Sequence, residues 1–359
     1  MASHLDQSDL TFSGKQITSL KEAFFTATFT NPALSDVFKV VTGIKAKEQI
    51  VIFGLLGLVG KKSGTNCAPD TNGSTIPAIE KWWDPEWIED RFEECFKDLL
   101  KKFTAWGLKN GIDKADLTGT EFALFLEERI SQSLAEAIFR IALFGKKTAA
   151  NVAGGGVIKD GIDVRFFNPI DGFWEQAFAI VAANSNQRVA IAKNGGASYA
   201  AQKFDQTDID NQVITGVLRE MIAAADERLT ADPNAQFWVT KSVADQYKAE
   251  RLKAGANLEI GYTRTEAGMQ QFEFDGYTIN ILSIQDRIIR AYMDNGTKWN
   301  LPHRIFFGLV DDHQLGVEEE GNLTELDPFY DKTSKKYIVD LGFQLDMKIV
   351  EDYKNVFAY

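Results

Sequence analysis

An apolar stripe in the first half of the chain constrains the fold most. Phe122, Phe125, Leu126, Ile130, Leu134, Ala137, Ile138, Ile141 and Phe144 recur at three- and four-residue spacing, the period of one helix face. Thr118-Gly119-Thr120-Glu121 in front of it has capping-box spacing, and Gly145 stops it. The pattern predicts a helix over 120–144. At about 1.5 Å per residue it would be a rod of roughly 37 Å. A rod with so wide an apolar face needs a large surface to lie on, so it serves as the axis of the fold.

Two segments before it lack the means to bury themselves. Residues 1–45 are polar and mixed, with Phe24, Phe25, Phe29, Leu34, Val37 and Phe38 scattered among them. They read as an arm that packs on something else. Residues 46–80 join the uncharged run Ile50 to Gly60 to two turn-rich stretches, Gly60 to Asn66 and Asp70 to Ser74. That composition predicts a long hairpin, which buries little by itself. Phe24, Phe25 and Phe29 of the arm and Ile52, Leu55, Leu58, Lys61 and Lys62 of the hairpin are therefore the candidate contacts between subunits.

The rest alternates helix and strand signals. Asp84, Pro85 and Glu86 look like a helix start, with Ile88, Phe92, Cys95, Phe96, Leu99 and Phe103 on one face. Residues 145–172 are glycine-rich. A short helix carries Phe173, Trp174 and Phe178, and another spans about 207–229. Gln236 to Thr240 reads as a strand and Ser242 to Leu252 as a helix. Asp275-Gly276 between two alternating runs is a hairpin turn. Strands fit 305–310, 337–341 and 343–350. The class is α+β, with any second domain inserted within about 170–300.

Chemistry is hard to find. The chain has 359 residues and a formal charge of −12, which argues against a broad grip on DNA. Two cysteines exclude a disulfide scaffold and a four-cysteine zinc site. The most apolar run, Ile50 to Gly60, is about half the length a membrane helix needs. No export signal opens the sequence, which suggests the cytoplasm. Gly54 to Lys62 fails the phosphate-loop spacing, because position 55 is leucine and position 62 lysine. Gly154-Gly155-Gly156 could wrap an anion through its amides, but a tight loop explains it as well. Asp311-Asp312-His313 with Glu318-Glu319-Glu320 is the most metal-like cluster, and its spacing matches no known loop. Cys67, Cys95 and Ser63 lack an adjacent base. No catalytic, cofactor or metal residue is assigned, and the expectation is a protein that is not an enzyme.

Several stretches carry a family resemblance. Lys81 to Cys95 (KWWDPEWIEDRFEEC) resembles the entry helix of major capsid proteins of tailed phages infecting Bacteroidetes. Ala150 to Gly156 and Gly161 to Trp174 are similar to that family too. Phe237 to Tyr247 resembles its apical strand and helix, Phe274 to Ile279 its fold-back element, and Tyr337 to Tyr359 its closing strands. The likeness covers roughly 45–359. It implies the HK97-like capsid fold: an N-terminal arm (1–45), an extended loop (46–80), a peripheral domain with a spine helix (81–170 with 301–359), and an apical domain (171–300). It further implies self-assembly into hexamers and pentamers of an icosahedral shell that encloses double-stranded DNA without specific binding. Portal, scaffolding and decoration proteins are the implied partners, and the virion, built in the host cytoplasm, the implied location. The covalent lysine–asparagine link of some relatives has no residue match here, although Lys61, Lys62 and Asn322 are of the right types. A minor head or tail protein and a soluble α+β enzyme are the competing readings.

Overall fold

The structure is a computed structural model that describes residues 35–54, 59, 75–76, 78–95, 133–134, 136–254, 263–264, 270–318, 327–331 and 336–359. Its strands are β1 Lys39–Val41, β2 Glu48–Phe53, β3 Ala78–Trp83, β4 Glu86–Cys95 and β5 Arg188–Val189. They continue with β6 Gln236–Val239, β7 Thr263–Arg264, β8 Gln270–Phe274, β9 Tyr277–Ile281 and β10 Ile305–Gly308. The last four are β11 His313–Val317, β12 Asp327–Asp331, β13 Lys336–Ile349 and β14 Val356–Ala358. The helices are α1, helical at 133–134 and 136–144, then α2 Phe173–Ala183, α3 Gln206–Asp210 and α4 Val213–Ala224. After them come α5 Glu227–Thr230, α6 Lys241–Lys253 and α7 Ser283–Tyr292.

Ile305-Phe306-Phe307 is uninterrupted by polar side chains, as expected of a strand covered on both faces. It lies in the middle of a seven-stranded sheet ordered β5-β14-β10-β6-β9-β8-β7. Successive side chains of a strand point to opposite faces, and the two faces meet different cores. Phe306, Trp238 and Phe357 join a core with α1, α2, α7, β11 and β13. Ile305, Phe307, Phe237, Val239, Val356 and Ala358 join a second core with α4, α6 and β9. Cross-strand partners stack: Trp238 on Phe306 at 4.9 Å and Phe237 on Phe307 at 4.2 Å between ring centres. Such pairs add about 0.5–1.5 kcal/mol each beyond the area they bury.

A second, five-stranded sheet is built around β13. One edge of β13 pairs with β4 through ten residues, Lys336↔Cys95 to Leu345↔Glu86. Its other edge pairs with β12 and then β11, and β1 runs parallel to β11. β2 and β3 form a separate two-stranded ribbon.

Several sequence expectations are met. Of the predicted rod, the described part is helical and ends at Phe144, with Leu134, Ile138, Ile141 and Phe144 buried. Residues 120–132 lie outside the described residues. Asp275 and Gly276 take φ of 50° and 83°, the left-handed pair that a two-residue hairpin turn requires.

Others are corrected. The helix expected from Asp84 is a strand over Glu86–Cys95. Ile88 and Phe92 are four apart, which places them on one face of either a helix or a strand, and the ten-residue ladder to β13 decides between the two. The single helix expected over 207–229 is three. Gln212 takes a left-handed φ of 51°, and the buried Glu250 of α6 accepts the Ile214 and Thr215 N–H groups, both at 2.9 Å, capping α4 where its own sequence offers no cap. The two strands expected over 337–350 are one continuous β13. The end of the expected arm also packs inside the chain: Val37 and Phe38 are fully buried in the first core, and Asp36 O accepts the Trp238 indole N–H at 3.2 Å.

Candidate assembly surface

The ribbon is where apolar side chains stay in water. Its register pairs Glu48↔Trp83, Ile50↔Lys81 and Ile52↔Ile79 on one face, and Gln49↔Trp82, Val51↔Glu80 and Phe53↔Ala78 on the other. Both faces are apolar towards the far end. Phe53 is 73 % exposed and Ile79 55 %, with Val51, Ile76 and Trp82 also exposed. Two strands alone cannot cover such side chains, and a bare apolar ribbon is a template for association.

The near end is firmly held. Trp83 is buried over Gly316 of β11, where an added Cβ would come within 2.7 Å of the indole ring. Lys81 Nζ donates to Ile349 O at 2.6 Å and pairs with Asp352 at 2.5 Å. Asp84 N donates to the buried Asp346 carboxylate at 2.7 Å. The Asp84 carboxyl is kept below the usual carboxylate range by its hydrogen bond from Lys147, 2.9 Å away. Desolvation pushes Asp346 the other way. The ribbon is thus anchored at the end of β3, and among the described residues its far end stays exposed.

Of the contact residues expected from sequence, Ile52 lies in this ribbon, half-buried against Ile79. Phe24, Phe25, Phe29, Leu55, Leu58, Lys61 and Lys62 lie outside the described residues. The sequence reading passed over Phe53, Ile79 and Trp82. Their signal was present as apolar residues on both faces of a strand with nothing of complementary pattern nearby.

The polar clusters that might have suggested chemistry are structural. His303 Nε2 bonds the Gln202 carbonyl at 2.6 Å and its Nδ1 lies 2.8 Å from Ser242 Oγ. Burial pushes this imidazole down to about 4, so it is a poor base at neutral pH, and no carboxylate orients it. His313, also pushed down to about 4 by burial, meets Asn355 Oδ1 at 2.7 Å, and Asn355 Nδ2 donates to Asp312. Asp312 is raised to about 6 by desolvation, while Asp311 pairs with Lys39 at 2.9 Å. Of the acidic cluster, Asp311 is exposed and Asp312 buried, while Glu319 and Glu320 lie outside the described residues. Among the described residues no three His, Cys, Asp or Glu gather as a metal would need. No helix among the described residues is long and apolar enough to cross a membrane. The amides of Gly154, Gly155 and Gly156 donate to Asn151 and Val152 carbonyls within the loop, so they do not form an anion cradle.

No protein-family model matches the chain, and no curated protein matches it by sequence. Solved structures do. The chain is similar to one from the satellite phage P4 procapsid including the size determination (Sid) protein, with a TM-score of 0.51, 9 % identity, and 96 % of each chain covered. Similarity to a chain of Mycobacterium phage Ogopogo is lower, with a TM-score of 0.49, 10 % identity and 90 % of each chain covered. A chain of the holo-SrpI encapsulin complex from Synechococcus elongatus PCC 7942 gives a TM-score of 0.47 and 9 % identity over 91 % of this chain and 86 % of that one. The end-to-end match to the procapsid chain, with the anchored ribbon and the two-core sheet, gives this chain the HK97-like capsid fold.

Proposed function

We propose that the chain is the major capsid protein of a tailed double-stranded DNA phage, and that its host is a member of the Bacteroidetes. The reading is carried by one observation: an HK97-like fold whose β2–β3 ribbon presents apolar side chains on both faces while its base is locked to the subunit. A neighbour's surface would supply the missing burial. At about 25 cal/mol per Å² of apolar surface, covering even part of this ribbon offsets much of the entropy of ordering it. Repeated head-to-tail contacts that close into rings produce five- and six-membered units. On this reading 1–45 is the arm and 46–80 the extended loop. Residues 81–170 with 301–359 make the peripheral domain, and 171–300 the apical domain.

Hexamers and pentamers of the subunit then form an icosahedral shell in the virion after synthesis in the host cytoplasm. A portal, a scaffold and decoration proteins are its expected partners. The charge of −12 suits a container that must not seize the DNA it holds. Lys61 and Lys62, with Phe24, Phe25 and Phe29, belong to the same intersubunit contact set. Expression of the chain with its phage's scaffold, followed by sedimentation and electron microscopy, tests the proposal. Closed shells with hundreds of copies support it. A monomer that stays soluble at micromolar concentration with 46–80 resistant to protease would refute it, and a few dozen copies per particle would indicate a minor head or tail protein.

A further inference from the structure

Away from the ribbon, an arginine lies against the first core with no carboxylate paired to it among the described residues. Arg304 is 1 % exposed, just before β10. Its guanidinium lies 4.9 Å from the ring centre of Trp174, 5.1 Å from Phe144 and 5.7 Å from Phe178. Nε donates to Leu301 O at 2.9 Å and Nη2 to Asn300 O at 3.2 Å. No Asp or Glu among the described residues pairs with it. A guanidinium has five N–H donors and keeps its charge in proteins. Three ring faces offset some of that charge, and among the described residues no carboxylate neutralises the rest. A buried cation left in this state is costly unless an anion meets it.

Arg304 stands in the wall of a cavity of about 410 Å³, within the range of small-molecule sites. The cavity lies between the end of α1, the start of α2 and the 154–156 loop, and its wall includes Trp174, Phe178 and Asn300. Lys146, a second cation in the wall, is already paired with Glu175 at 3.0 Å. The glycine loop turns its amides inward and shapes the wall without donating. Thr148, Asn300 and the Lys146–Glu175 pair also line the cavity, and Arg304 is the cation there with no carboxylate on it among the described residues.

We propose that this cavity binds a small oxyanion-headed molecule, a carboxylate or a phosphate monoester, with its head on Arg304 and an apolar body against Trp174 and Phe178. The ligand is free in solution and is not a side chain of a neighbouring subunit. Binding is a property of the folded subunit and does not depend on shell formation.

Calorimetric titration of the purified full chain with benzoate, phenyl phosphate and inorganic phosphate, at constant ionic strength, tests it, with benzyl alcohol as the uncharged control. At least one of the aromatic anions should bind saturably and more tightly than benzyl alcohol. Arg304→Gln should weaken that binding about tenfold or more. Should that variant fail to fold, Ala149→Leu, which fills the cavity and leaves Arg304 in place, should abolish binding without lowering the ligand-free melting temperature. No saturable heat from any anion, or unchanged affinity in whichever variant folds, overturns the proposal. A density map of assembled particles decides the source: a discrete small-molecule peak on the Arg304 guanidinium supports a free anion, and a neighbour's carboxylate in that position overturns it.

Discussion

Two apolar strand systems in this protein meet opposite fates. In β10, Ile305, Phe306 and Phe307 are completely buried, because the sheet is covered by one core on each face. In the β2–β3 ribbon, Val51, Phe53, Ile79 and Trp82 have comparable apolar character and remain exposed. Each strand of the ribbon pairs on one edge only, whereas β10 is paired on both edges and has a core above and below it. Pairing and burial are separate requirements, and among the described residues the ribbon meets neither in full. On the proposed function, a neighbouring subunit completes that burial.

The sharpest way to break the comparison is to place a carboxylate in each region. Ile138→Asp puts an unpaired acid on the fully buried face of α1 and should cost more than about 4 kcal/mol or force protonation. Little folded protein should be recovered, as circular dichroism and gel filtration would reveal. Folded Ile138→Asp subunit with a native melting temperature would show that α1 is not the centre of the core.

Proton uptake should act on the core as well. His303 is depressed to about 4 by burial, below its unfolded value of 6.5. The unfolded chain therefore binds the proton first as pH falls, and stability present above 6.5 is lost towards 4. The contribution is roughly 3 kcal/mol at most. Asp312, raised to about 6, has the opposite sign: its contribution is present below about 4 and lost as pH rises through 6, so it partly offsets the histidine. Melting curves between pH 7 and 4.5 should fall less steeply for His303→Asn than for the native sequence. Parallel curves would place the acid sensitivity elsewhere.

At the joint between the two regions, Gly316→Ala should cost about 1–3 kcal/mol, because the new methyl meets the Trp83 ring. The loss should vanish in the double variant with Trp83→Ala, which a double-mutant cycle would measure. Additive effects would mean that Trp83 does not lock the ribbon's base to β11.

The smallest effect on the subunit belongs to Phe53→Ser. Phe53 is 73 % exposed, so subunit stability should change by less than about 0.5 kcal/mol. Assembly should suffer all the same, seen as fewer closed particles by electron microscopy. Normal particle yield would remove Phe53 from the contact.

Local chemistry made part of this legible. Asp275-Gly276 specified its turn because few residues tolerate two consecutive left-handed conformations. The rod's stripe announced α1, and Lys241–Lys253 and Phe173–Ala183 could be read from their flanks and periodicity. The hairpin over 46–80 was read from an uncharged run beside turn residues, and Glu48–Phe53 does pair with Ala78–Trp83. Where two structures share a pattern, the sequence was silent. Ile88 and Phe92 suit a helix or a strand, and a ten-residue ladder with β13, more than 240 residues later in the chain, made the choice. The α7 helix was not read although Ile284 and Ile288 recur at helical spacing; its inward face also buries the polar Gln285 and Asp286. The break at Gln212 depends on Glu250 arriving from another helix to cap α4.

The sequence by itself determined the Asp275-Gly276 turn, the apolar face of α1 over its described residues and the pairing of β2 with β3 in a hairpin, because each depends on residues near one another along the chain. Tertiary structure alone decided that β4 would be a strand, which rings face which core, and that Arg304 would be buried beside a cavity with no carboxylate paired to it among the described residues. Those outcomes are set by contacts between distant segments, whose free energy exceeds any local preference and leaves no periodic trace in the sequence.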